Sequence, residues 1–63
     1  MKFHLKQIRE EKGISIRRLV KIAGVGKGTI ERIENNVVDP RIGTLWALAK
    51  ALEVNVWDLV EFE

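Results

Sequence analysis

The chain has no cysteine, and its 63 residues include one serine, one histidine and one proline. Without cysteine there is no disulfide framework and no thiolate metal site. A lone His4 rules out a histidine metal cluster. It also leaves a Ser–His–Asp arrangement only His4 and Ser15, and no motif surrounds either residue. His4 reads as an exposed polar residue on the first helix. No apolar run approaches the roughly 20 residues needed to span a bilayer. The stretch from Met1 to Gly13 carries charges throughout and lacks the pattern of an apolar leader. These absences point to a cytoplasmic, reducing location, with no membrane association, metal or cofactor. So short a chain makes one small domain, 1–63, which buries about 60% of its unfolded surface and depends on efficient packing.

What is present is charge, unevenly spread. Apolar residues make up 46% of the chain and charged residues 32%, a globular composition. The formal net charge is only +2, but residues 1–32 hold nine Lys/Arg against three acids. Residues 33–63 hold two basic residues against six acids. A domain polarised in this way could lay its basic pole on a polyanion, or that pole could simply be a solvated face.

Helical spacing runs through the sequence. A first segment, about Lys2 to Lys12, sets Leu5 and Ile8 on one side. Gly13 follows it as a C-terminal cap that admits positive φ. Ser15 is placed to cap a second helix, Ile16 to Ile22 or Ala23, whose apolar stripe is Leu19, Ile22 and Ala23. A third runs from near Gly26 to Glu34, with Ile30 and Ile33 inward, and Asn35-Asn36 ends it. Pro40 keeps Asp39 out of a helix. A fourth helix spans about Ile42 to Leu52, with Leu45, Leu48, Ala49 and Leu52 inward. Asn55 caps a last short one, Val56 to about Glu61, with Val56, Leu59 and Val60 inward and Asp58 as its capping-box acid. The expected fold is all-α, five short helices around one core, with little volume for a small-molecule pocket.

Gly24, Gly26 and Gly28 alternate around Lys27 and superficially suggest a phosphate loop. Nucleotide loops of that kind need a preceding buried strand and GxxxxGK[ST] spacing, and both are missing. The apolar residues at 19, 22 and 23, Gly at 24, and apolar residues at 25, 30 and 33 instead have the spacing of a helix-turn-helix.

Several stretches then recur together and in order: LKQIREEKGIS (5–15), AGVGKGTIERIEN (23–35), PRIGTLWALAKAL (40–52) and VNVWDL (54–59). With these the chain resembles the phage-repressor/Cro, or Xre-like, helix-turn-helix family. The resemblance implies a compact, lambda-repressor-like five-helix domain and a transcriptional regulator. It would most often be a repressor that binds a near-palindromic operator in double-stranded DNA as a homodimer. It places Lys27, Gly28, Thr29 and Arg32 on the base-reading face of the third helix. It assigns phosphate to Ser15, the amide of Ile16, Arg17 and Arg18 at the start of the second helix, and to Arg41 after the loop proline. It makes Arg9 and Glu34 a partly buried ion pair of the scaffold. Trp57, Val60 and Phe62 are the expected dimer contact.

Three departures stand out against that family. Ile16 occupies a position usually held by glutamine, and Val20 one usually held by alanine. The loop after Asn35 reads Asn36-Val37-Val38-Asp39 instead of a Gly- and Lys-rich sequence. Ile16, Gly28, Val37, Val38 and a surface tryptophan fit a second reading: a protein-interaction module on the same fold, such as an antitoxin or a component of a regulatory complex.

Overall fold

A computed structural model describes residues 2–37 and 39–61. In chain order the elements are β1 (Lys2–Phe3), α1 (Leu5–Glu11), α2 (Ile16–Ala23), α3 (Lys27–Glu34), α4 (Ile42–Leu52), α5 (Val56–Leu59) and β2 (Val60–Glu61). The five helices fall where the periodicity sets them. Val38 and Phe62 lie outside the described residues.

The structure adds an antiparallel two-residue ladder that pairs Lys2 with Glu61 and Phe3 with Val60. It shortens both terminal helices relative to the sequence reading: α1 starts at Leu5 and α5 stops at Leu59. The reason is a period-two pattern too short to register as a strand. Phe3 and Val60 turn inward, while Lys2 and Glu61 face each other as opposite charges across the pair. His4 is therefore not on the helix surface. It is the N-cap of α1, half-buried, and its N–H donates to Leu59 O at 2.8 Å. The Phe3 N–H points away from the ladder and donates to Asn36 Oδ1 at 3.1 Å, which ties the ladder to the end of α3.

Three helices finish with the same pair of backbone bonds. Gly13, Asn36 and Glu53 take φ of 68°, 56° and 57° after α1, α3 and α4. Each N–H bonds back three residues, and the next residue's N–H bonds back five: Ile14 to Arg9, Val37 to Arg32 and Val54 to Ala49. This is the Schellman closure, which satisfies the last carbonyls of a helix. Gly13 and Asn36 suit that backbone. Glu53 is a less favourable occupant, combining a Cβ in left-handed backbone with a negative charge at a helix C-terminus.

The core is aliphatic. Leu5, Leu19, Ile30, Ile33, Leu48 and Leu52 are at most 1% exposed and join all four longer helices. Ile22 differs from expectation at 42% exposed. Leu19 and Ala23, four apart, set the inner edge of α2, and Ile22 stands off it. Behind α3, the Arg9 and Glu34 side chains are only 11% and 6% exposed. Arg9 Nε donates to Glu34 Oε2 at 2.7 Å, Nη2 to Oε1 at 3.3 Å and Nη1 to Ile14 O at 2.8 Å. The hydrogen bond to Glu34 raises the guanidinium pKa above its ordinary value, against the opposing effect of desolvation. One side chain thus clamps α1, the turn after it and α3.

Candidate nucleic-acid interface

The site is assembled by α2, a tight turn and α3. Gly24 closes α2 in left-handed backbone at φ 69°, with its N–H on Val20 O at 3.0 Å. That backbone lets the chain turn sharply into Val25, half-buried, and on to Ile30, which is fully buried. α3 therefore lies across α2 with its outer side free of the core.

Ser15 caps α2 as its sequence position implies, its Oγ accepting from the Arg18 N–H at 3.1 Å. The amides of Ile16 and Arg17 are the other donors of that first turn. There is no acid in the turn. Instead Arg17, Arg18 and Lys21, with Ser15, line a concavity of about 150 Å³ over the helix end. Arg17 and Arg18, in the first turn, oppose the macrodipole, while Lys21 is in the last turn and adds only its charge, so the arrangement attracts an anion and gains by binding one.

On α3, the residues named for base reading do not stand alike. Lys27, Gly28 and Arg32 are exposed, whereas Thr29 is half-buried. With 3.6 residues per turn, Gly28 lies almost opposite the buried Ile30–Ile33 edge, and Glu31 and Arg32 flank it on either side. Thr29 tilts toward the core. A β-carbon on Gly28 would stand 3.6 Å from Arg32 Nη2 and 3.8 Å from Cζ. The Arg32 guanidinium thus lies back over the glycine and covers the centre of the outer face. Glu31 is exposed on that same face and was missed in the sequence reading. Its signal was the helical wheel: it neighbours Gly28 as closely as Arg32 does.

Arg41 is exposed and is the N-cap of α4, directly after Pro40. Trp57 is 75% exposed. Val60 is not a projecting surface contact: it is 8% exposed and forms part of the ladder. It contributes to a groove of about 670 Å³ between α4 and α5, whose walls carry Ile42, Trp46 and Trp57. Ile42 and Trp46 are themselves 66% and 61% exposed. The core was expected to leave little volume for a pocket; this concavity arises on the surface.

The helix-turn-helix family model HTH_3 matches residues 5–56. The chain belongs to the helix-turn-helix family. Among helix-turn-helix proteins, the HTH-type transcriptional regulator SutR of Escherichia coli (strain K12) is 42% identical over 50 residues. That match takes in 79% of this chain and 28% of SutR, so the chain spans little more than a quarter of that relative. The N-terminal DNA-binding domain of SinR from Bacillus subtilis is similar in structure, with a TM-score of 0.85 at 36% identity, over 95% of this chain and 88% of that one. A structure of SinR, the master regulator for biofilm formation, in complex with DNA gives a TM-score of 0.81 at 38% identity, over 86% and 87% of the two chains. Among the described residues of this helix-turn-helix protein, no helix is long and apolar enough to cross a membrane. No group of acidic or histidine side chains among them is placed to hold a metal.

Proposed function

We propose that the chain binds double-stranded DNA sequence-specifically as a transcriptional regulator, acting as a repressor in the cytoplasm. The observation that carries this reading is the cation-lined concavity at the N-terminus of α2, set beside an α3 whose outer face is free of the core. A phosphate in the concavity meets Ser15, the Ile16 amide, Arg17 and Arg18, and Arg41 takes another. α3 then enters the major groove by its N-terminal half. Arg32, lying over Gly28, offers donors to guanine O6 and N7, and Lys27 offers one beside it. Thr29 meets a base edge only from the side. Glu31 adds an acceptor for a cytosine amino group.

The α4–α5 groove supports a homodimer, with Trp57 on its wall and Val60 within it; Phe62 follows beyond the described residues. A two-fold axis there would set two recognition helices about 34 Å apart, one turn of DNA. The deciding experiment is selection from a random duplex library at about physiological ionic strength, where nonspecific attraction is damped. Enrichment of a two-fold symmetric motif with half-sites one turn apart is expected. No enrichment by a folded sample would sink the DNA reading and turn attention to the groove as a protein-binding site.

A further inference from the structure

Ile16 sits where a polar side chain would be expected to face DNA. The structure gives it a different surrounding. Ile16 and Val20, one turn apart on α2 and both half-buried, lie in a concavity of about 440 Å³ that Arg17, Lys21 and Lys27 also line. Those three cations are exposed. Lys27 comes from the first turn of α3, so the notch lies between the helix that would hold the backbone and the helix that would enter the groove. Its apolar side chains are bordered by positive charge on both helices.

The geometry points to a thymine as the occupant: its 5-methyl group in the notch against Ile16 and Val20, its O4 accepting from the Lys27 ammonium. This rests on the DNA-binding reading and extends it by one specificity-determining contact. Thymine is the standard base that shows the major groove an apolar group, and its O4 acceptor stands beside that methyl. The phosphates of its own strand flank it, and Arg17 and Lys21 are there to meet them. A partner without anionic flanks would leave those cations with nothing to gain. A duplex without the methyl would leave the apolar surface facing water. 5-Methylcytosine offers the same methyl but sets an amino donor, not an acceptor, before Lys27.

The test uses the full chain and its selected duplex. Each thymine of a half-site is replaced in turn by deoxyuridine, which removes only the methyl, and affinity is read by fluorescence anisotropy at fixed salt. One thymine per half-site is expected to lose about fourfold in affinity, the size expected of one buried methyl. In Ile16→Gln, a substitution that restores the residue usual in the resembled family, that loss should nearly vanish. Circular dichroism confirms that the variant folds, and the deoxyuridine series on the unaltered protein needs no variant at all. 5-Methylcytosine at that position should bind more weakly than thymine; equal binding would remove Lys27 from the contact. Tight binding of the selected duplex with no loss at any deoxyuridine overturns the notch alone. Failure to bind any duplex above the nonspecific level overturns the DNA reading and the notch with it.

Discussion

At the start of α2, cations crowd a helix end whose dipole repels them; between α4 and α5, Trp46 and Trp57 lie largely in water. Each face is costly in isolation, but for a different reason. On the first, the unfavourable term is electrostatic, and an anion relieves it. On the second it is hydration of apolar surface, and only another apolar surface relieves it. Salt weakens the first attraction and leaves the second nearly unchanged. If both proposed faces are interfaces, one small fold carries two whose strengths are set independently, because the forces behind them respond to different conditions.

Salt separates the two most sharply. Raising it from about 50 to 200 mM should weaken specific DNA binding by roughly a thousandfold, since the proposed dimer, neutralising six or more phosphates, would release their counterions. The dimer constant, read by sedimentation, should barely move. A parallel fall in both would end the distinction. Next in size is Arg9→Ala, which strands the Glu34 carboxylate at 6% exposure and removes the clamp behind both faces. Urea denaturation should show a loss of about 3 kcal/mol or more. Since the folded-state pKa of Arg9 is raised, its contribution is complete at all pH below arginine's ordinary value and is lost only as pH rises through the higher folded value. An alkaline shift short of that should not imitate the mutant.

Smaller effects sharpen each face in turn. Trp57→Ala should weaken dimerisation by about 2 kcal/mol, as loss of an interface tryptophan typically does, while the salt dependence of DNA binding is kept. Arg32→Ala should relax preference at one base of each half-site by roughly tenfold, within the range for one bidentate contact. Arg17→Ala by contrast should weaken all duplexes alike. Smallest is Gly28→Ala. Its new methyl would meet the Arg32 guanidinium at ordinary contact distance. Alanine's helix propensity should raise stability by up to about 1 kcal/mol, seen as a higher melting temperature. Base preference should persist; its loss would mean that Arg32 needs the bare glycine beneath it.

The parts of this arrangement that are local were legible in the sequence. Ser15 caps α2 because its hydroxyl reaches only three residues ahead, and Gly24 turns because no other residue there does so as easily. The Arg9–Glu34 pair was legible through the family resemblance, not through spacing. The terminal ladder was not legible: two residues of alternation cannot be told from a helix end, and their partner lies at the other end of the chain. Val60 was set inward by its spacing, and the ladder supplies the strand that holds it there. The seat of Arg32 over Gly28 is a matter of side-chain rotamer, which spacing does not set. The Ile16–Val20 notch needed α3 in place, since Lys27 completes it from another helix.

The ladder has a topological consequence. By pairing Lys2 with Glu61 it closes a ring around every helix among the described residues, held by a few backbone hydrogen bonds where a small secreted protein would use a covalent staple. A loop of that length is entropically expensive to close, although the expense grows only logarithmically with length. A short peptide joining the two strand ends would make the ring permanent and lower the entropy of the unfolded chain, leaving the DNA face and the groove in their present sequence. The cyclised protein should melt at a higher temperature than the linear one.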